Sequence, residues 1–184
     1  MNEKQLPLEF EIEDIDASEI GALTKFEFYD FLHDKYFVWK YTQKNRLATT
    51  RKNLEKYIYE NRIDELENIH KSLFSADHSN IEECLSIVSQ IRGLGTAGAS
   101  GLLAVLFPED FGTVDQFMVK ALEKIEDLDE HEIIKRMNPD GLKIKDGVVL
   151  INIMREKAEE LNELFDTDYW TPRKIDMILW SIGR

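Results

Sequence analysis

Cysteine and long apolar runs are the scarcest features of this sequence. Cys84 is the only cysteine among 184 residues, which excludes an intramolecular disulfide and any zinc or iron-sulfur site built on several cysteines of one chain. No apolar run approaches the roughly 20 residues that span a bilayer. Residues 1–16 are acidic and lack the basic start and apolar stretch of a secretory signal. We therefore expect a cytoplasmic protein with no membrane partner.

Segments that would divide the chain are also scarce. The sequence has no low-complexity stretch, no internal repeat and no linker rich in Gly, Pro or Ser. The one candidate seam is the loop at 139–147, where Asp146-Gly147 is typical of a turn. With 43% hydrophobic and 32% charged residues, the chain has the composition of a globular protein. We expect an extended arm at 1–17 and a single helical domain at 18–184, in one body or in two closely packed lobes.

Helical periodicity dominates most of the sequence, which predicts an all-α fold. Capping residues followed three positions later by glutamate indicate helix starts at Asp64, Asn80 and Asp129. Thr171 followed by Pro172 indicates another, because proline is tolerated at the first helical position. The patterns predict helices near 18–32, 46–60, 64–74, 80–92, 96–106, 116–126, 130–137, 148–165 and 172–182, with a break around 33–36.

Positive charge is scarce overall but concentrated in one segment. The net charge is -13, which argues against nucleic acid, because affinity for a phosphate backbone comes largely from Lys and Arg. Residues 35–56, however, carry seven cations against Glu55 alone, a local charge of +6, together with several aromatic residues. Such mixtures bind phosphates and unstacked bases, so Lys40, Lys44 and Arg46 are candidate DNA contacts. The alternative is a solvated helix face whose aromatics pack into the core.

The most informative stretch runs from Ile91 to Leu103. Gly93 and Gly95 permit a tight turn and a close approach of the backbone, and Thr96 is placed to cap a new helix. Unpaired N–H groups at such a helix start, together with the helix dipole, suit a phosphate. A Gly-x-Gly pair alone is more often a plain connection between helices, and the segment that follows, through Pro108 to Asp115, adds the specificity.

Together these segments resemble the helix-hairpin-helix superfamily of DNA glycosylases. In that family an apolar-x-Gly-apolar-Gly hairpin leads to a small-residue helix, then to a Pro-containing turn, then to an apolar-Asp pair that opens the next helix. Here the helix-hairpin-helix unit would span 80–106, and Asp115 lies 20 residues after Gly95. The resemblance is sharp over 87–122 and general elsewhere.

The resemblance implies a DNA partner and an enzymatic site. The hairpin and the helix start after it would hold a phosphate next to the target nucleotide, through Arg92, Gly93, Leu94, Gly95, Thr96 and Ala97. Asp115 would be the catalytic carboxylate, stabilising an oxocarbenium-like sugar or orienting the attacking water. No metal or organic cofactor is implied, and a monovalent cation on the hairpin carbonyls is the one ligand left open. The competing interpretation of Asp115 is a helix N-cap alone.

Departures from the family pattern narrow this expectation. Ala97 stands where strand-cleaving members carry a Schiff-base lysine, so lyase activity through that position is excluded and a monofunctional glycosylase is expected. Arg92 replaces the usual proline, and Gln116-Phe117 follows Asp115 in place of the commoner small residue and histidine. The alternative function is a non-catalytic helix-hairpin-helix module that binds DNA or a protein.

Aromatics and cations meet a second time near the end of the sequence. Arg173 and Lys174 fall in the first turn of the last predicted helix, where the helix dipole disfavours cations. Their presence there suggests an external anion, so both join the candidate DNA contacts.

Overall fold

The structure, a computed structural model, describes residues 11–184. The described residues contain helices and no β-strand, which confirms the all-α prediction. In chain order the helices are α1 (Ala17–Gly21), α2 (Lys25–Asp30), a π-helix (Phe31–Tyr36), α3 (Phe37–Lys40), α4 (Lys44–Tyr59), α5 (Ile63–Ser75), α6 (Ile81–Val88), α7 (Thr96–Leu106), α8 (Gln116–Leu122), α9 (His131–Ile134), α10 (Ile144–Phe165) and α11 (Pro172–Gly183). No helix among residues 11–184 has the length and apolar character needed to cross a membrane.

The beginning of the chain differs from its prediction in two places. The arm predicted at 1–17 lies mostly outside the described residues, but residues 11–13 are helical and Ile12 is buried, so this end of the segment is not extended. The break predicted at 33–36 is absent, because α2, the π-helix and α3 follow one another without interruption from residue 25 to residue 40. A π-turn inserts into a helix without ending it. It carries the chain through the predicted break as far as Lys40.

Local capping chemistry sets two helix starts where the sequence predicts them. The Asn80 side chain accepts a hydrogen bond from the Glu83 N–H at 3.2 Å, and the Thr171 side chain accepts one from the Lys174 N–H at 3.3 Å, immediately before Pro172. The predictions at Asp64 and Asp129 are displaced, because α5 begins at Ile63 and α9 at His131, and neither has a side-chain cap.

Helix α7 lies at the centre of the molecule. Its residues from Gly98 to Leu106 are all buried, as expected of a helix that is apolar on every side. It packs against α6, α10 and α11, and the buried apolar residues form one cluster that runs from Ile12 to Leu179. Residues near both ends of the described chain therefore contact α7.

The predicted seam at 139–147 is partly helix. Asp146 and Gly147 lie in the first turn of α10, where the Asp146 carboxylate accepts a hydrogen bond from the Lys143 N–H at 2.8 Å. Gly147 is buried, and a Cβ there would come within 2.9 Å of Leu85 and 3.0 Å of Thr96. The glycine therefore serves close helix packing, and the turn prediction at Asp146-Gly147 is wrong.

Candidate functional site

A short connection, residues 89–95, joins α6 to α7 and contains the predicted hairpin. Gly93 has a φ of 99°, in the region that favours glycine. A Cβ at this position would also lie 2.9 Å from the backbone oxygen of Thr50. Conformation and space thus both require glycine, and the connection rests directly against α4.

Helix α7 begins without a side-chain cap. Its N-cap is Gly95, which is exposed and has no neighbour within 4 Å of the position its Cβ would take. Thr96, predicted as the cap, is the first helical residue and is buried, as is Leu94. Since the first N–H groups of a helix have no acceptor within it, this end of α7 has the polarity and the donors that suit an anion. The side chains of Leu94 and Thr96 are turned inward, so any contact they make there is through the backbone.

Two shallow grooves flank the connection along α4. The first has a volume of about 450 Å³ and is lined by polar residues of α4 together with Gly93: Gln43, Asn45, Arg46, Thr49, Thr50 and Asn53. The second, of about 500 Å³, is lined by Arg92 and Gly93 and by residues nearer the end of α4: Asn53, Lys56, Glu60 and Arg62. The structure therefore brings together Arg46 and Gly93 of the connection, which are far apart in sequence. Neither groove reaches Asp115.

Arg92 is paired within the protein. Its guanidinium lies 2.6 Å from a Glu60 carboxylate oxygen and 3.7 Å from one of Glu65, and it stacks 4.9 Å from the centre of the Tyr57 ring. The hydrogen bond from Arg92 lowers the pKa of the Glu60 carboxyl. The sequence analysis predicted that Arg92 contacts an external phosphate. In the structure its positive charge already faces the carboxylates of Glu60 and Glu65.

The basic segment divides between surface and interior. Lys44 and Arg46 are exposed in the first turn of α4, whose N-cap residue, Gln43, makes no capping hydrogen bond with its side chain. Lys40 is half-buried instead, against α7. The sequence analysis grouped the three cations, but in the structure only Lys44 and Arg46 are exposed, and of these Arg46 lines the groove beside Gly93.

Asp115 is the N-cap of α8. One of its carboxylate oxygens, Oδ1, accepts hydrogen bonds from the Phe117 and Met118 N–H groups at 2.8 and 3.2 Å. The side chain is half-buried. The preceding residue, Val114, donates its N–H to the Ser100 hydroxyl at 3.0 Å, which fixes this segment to α7. Asp115 therefore caps α8, and the cap uses only one of its two carboxylate oxygens.

Lys40 points toward the same part of α7. A Cβ at Gly101 would lie 2.9 Å from the Lys40 Nζ atom and 2.8 Å from the Tyr36 hydroxyl, which donates a hydrogen bond to the Gly98 carbonyl. Burial lowers the pKa of the Lys40 amine from its ordinary 10.5 to about 8, and the nearby charges of Asp115 and Asp176 partly counteract this. The sequence does contain a signal for this close approach: a pair of glycines three residues apart in α7, Gly98 and Gly101.

The last helix, α11, carries Arg173 and Asp176, whose charges influence the Lys40 amine. Asp176 is buried and accepts hydrogen bonds from the Thr113 N–H at 2.9 Å and from Arg173 at 2.6 Å. Burial raises the pKa of its carboxyl. Arg173 also stacks 5.5 Å from the centre of the Trp39 ring. The charges of Asp115, Arg173 and Asp176 are among those that influence the Lys40 amine, and we call these four residues the charged cluster.

Lys174, predicted beside Arg173 as a DNA contact, is engaged with Tyr169. Its ammonium donates a hydrogen bond to the Tyr169 carbonyl at 2.5 Å and sits 3.7 Å from the centre of the Tyr169 ring. In the described residues, no group of three or more His, Cys, Asp or Glu side chains is placed to hold a metal ion.

Comparisons with protein families, with curated proteins and with solved structures found no match to this chain.

Proposed function

We propose that this protein binds DNA through its hairpin and acts as a monofunctional DNA N-glycosylase, hydrolysing the base-sugar bond of a nucleotide flipped out of the duplex. The observation that carries the proposal is the connection before α7. It combines a glycine-dependent turn at Gly93, an exposed and uncapped helix start at Gly95, and an adjoining groove lined by Arg46. These are the features by which a backbone holds a phosphate.

Binding would rely on a small basic surface of an otherwise acidic protein. Lys44 and Arg46 are exposed in the first turn of α4, and Arg46 lines the groove that includes Gly93, so they can neutralise phosphates near the one held at the start of α7. The remaining surface repels a duplex. We expect weak binding with strong salt dependence, because each neutralised phosphate releases counterions.

The chemical step would fall to Asp115. After flipping, water attacks the sugar carbon C1′, the bond from C1′ to the base nitrogen breaks, and the departing base takes up a proton. Positive charge develops on the sugar ring during this step, and a nearby carboxylate stabilises it. The Oδ2 atom of Asp115 is not used in the α8 cap, so capping and catalysis are compatible.

A non-catalytic DNA-binding module is the second candidate function. It is favoured by the engagement of Asp115 as a helix cap and by the position of both grooves, which lie along α4 and not beside that carboxylate. This alternative keeps the hairpin contacts and predicts no base release.

Two measurements test the proposal. Duplexes that each bear one damaged or mismatched base are incubated with the protein and then treated with alkali, which cleaves the strand wherever a base has been lost. Binding is measured over a range of salt concentrations for the wild type, for Lys44→Glu with Arg46→Glu, and for a control that reverses the exposed charges of Lys135 and Arg136.

The charge reversal on α4 should weaken binding to all sequences alike, and the control should not. Base release from any duplex supports the enzyme, and binding without release supports the module. No binding at low salt, or binding that is insensitive to salt, would contradict both.

A further inference from the structure

Helix α4 carries one continuous exposed stripe. Residues three or four apart lie on the same face of a helix. The exposed positions with this spacing run from the second residue of α4 to its last: Asn45, Ala48, Thr49, Lys52, Lys56 and Tyr59. At 1.5 Å per residue the stripe is about 21 Å long. We call it the α4 stripe.

The positive charges of the α4 stripe are not neutralised within the described part of the protein. Lys52 and Lys56 make no ion pair with any described residue. The two acidic residues nearest to them face other partners, because Glu55 lies 3.6 Å from a ring nitrogen of His33 and Glu60 is already paired at the connection before α7. In a protein with a net charge of -13, two unopposed lysines on one helix face suit a polyanion.

Tyr59 ends the α4 stripe and is the most exposed large hydrophobic residue of the described chain. It is 80% exposed, and its side chain makes no hydrogen bond or ring contact with a described residue. Its backbone is nevertheless held, because a tight turn follows: Asn61 has a φ of 55°, and the Arg62 N–H donates a hydrogen bond to the Tyr57 carbonyl at 2.8 Å. Exposed aromatic rings beside lysines are the combination on which unpaired bases stack.

The α4 stripe adjoins the proposed phosphate site. Lys56 lines the second groove together with Arg92 and Gly93, and Asn53 lines both grooves. A DNA strand with one phosphate at the start of α7 can therefore continue across the second groove to Lys56 and then to Tyr59.

A single strand fits this surface better than a duplex does. A duplex is stiff and carries one negative charge per roughly 1.7 Å of its axis, so it brings further phosphates against the acidic surface beyond α4. A single strand has a lower charge density and can follow one helix face. It also offers unpaired bases to Tyr59, which a duplex keeps stacked and paired.

We propose that the α4 stripe binds a single-stranded segment of DNA next to the duplex, with Lys52 and Lys56 neutralising its phosphates and Tyr59 stacking on one of its bases. The inference rests on the proposed function, because it extends the strand held at the hairpin. It adds a preference that base release does not require, namely for DNA in which a duplex adjoins an unpaired strand, as at a gap, a fork or an overhanging end.

The test measures binding of the full-length protein to a blunt duplex, to the same duplex with a single-stranded tail of about ten nucleotides, and to a poly-glutamate peptide. Tyr59→Ala removes the ring, and Tyr59→Phe retains it. Phe165→Ala is the matched control, because Phe165 is also the last residue of its helix, α10, and is 61% exposed. Lys52→Gln with Lys56→Gln removes the two charges.

We expect the wild type to bind the tailed duplex more tightly than the blunt one. Tyr59→Ala should weaken binding of the tailed duplex at least about fivefold and leave the blunt duplex unchanged, whereas Tyr59→Phe and Phe165→Ala should bind both as the wild type does. For the tailed duplex, the double lysine variant should make the slope of log affinity against log salt less steep by about 1.4, since each phosphate of a single strand contributes about 0.7.

The comparison of the two DNAs with the wild type does not depend on whether a variant folds. Equal affinity for them, or binding of the tailed duplex that Tyr59→Ala leaves unchanged, would overturn this inference and leave the proposed function standing. Equally tight binding of the poly-glutamate peptide, with no effect of Tyr59→Ala, would assign the α4 stripe to an acidic protein and also overturn it. Failure to bind any DNA would overturn both proposals.

Discussion

The substitution Asp115→Asn separates the two roles of this carboxylate. Asn and Asp rank together as helix N-caps, and Asn retains an oxygen at the Oδ1 position, which accepts from the Phe117 and Met118 N–H groups at 2.8 and 3.2 Å. The free energy of unfolding should therefore fall by less than roughly 1 kcal/mol. Asp115→Ala removes both hydrogen bonds and should cost about 1–2 kcal/mol.

The rate of base release should depend on the charge of residue 115, whereas stability depends on its capping hydrogen bonds. Asn carries no charge, so the positive sugar in the transition state loses its electrostatic partner. Removing one well-placed stabilising group commonly costs on the order of a hundredfold or more in rate. If the protein is a glycosylase, Asp115→Asn should be folded, able to bind DNA and nearly inactive. The loss of the Asp115 charge also removes one influence that raises the pKa of Lys40.

The assays are urea unfolding, DNA binding at fixed salt and single-turnover base release for the wild type and both variants. Full base-release activity in Asp115→Asn would show that Asp115 is only a cap, and the catalytic assignment would be wrong. Equal destabilisation by Asn and Ala would instead refute the capping argument, because it would mean that the oxygen at Oδ1 contributes nothing.

Two further expectations concern Gly93 and Lys40. Gly93→Ala should destabilise the protein by about 1–3 kcal/mol, because of the positive φ and the contact with Thr50. Gly95→Ala meets open space and loses only the preference for Gly over Ala at an N-cap, so it should cost less than Gly93→Ala. Similar unfolding free energies for the two variants would contradict this. The folded pKa of Lys40, about 8, lies below the ordinary value of 10.5, so the folded state loses its proton first. The stability of the wild type relative to Lys40→Met should then rise between pH 8 and about 10.5 and stay level below pH 7, and a difference in unfolding free energy that is constant across this range would show that the amine is not desolvated.

The helical architecture could be predicted because its signals are local. The caps at Asn80 and Thr171 involve residues within three positions of one another, and α7 occupies the predicted bounds of 96–106. A run of small and apolar residues favours one buried helix wherever it lies in the fold. The sequence therefore sufficed for the fold class and for most of the elements.

The charged cluster could not be predicted, because it depends on contacts between distant parts of the chain. Lys40 and Arg46 are six residues apart and look alike in sequence, yet one is packed against α7 and the other is exposed beside Gly93. The π-helix that precedes Lys40 replaces a predicted break. Gly147, interpreted as a turn residue, fills a helix contact instead. In each case tertiary packing decides what local patterns leave open.

The hydrogen bonds by which Asp115 caps the short helix α8 would also orient its carboxylate for catalysis. A carboxylate has about four lone-pair positions, and the α8 cap occupies Oδ1 only. The two capping bonds restrict the rotation of the side chain, and the hydrogen bond from Val114 to Ser100 fixes the backbone before it. Orientation of Oδ2 thus follows from interactions that the fold needs anyway. A reaction at this site would therefore require no separate residue to position Asp115. Loss of the cap, as in Asp115→Ala, should impair stability and any activity together. Loss of the charge alone, as in Asp115→Asn, should impair mainly activity.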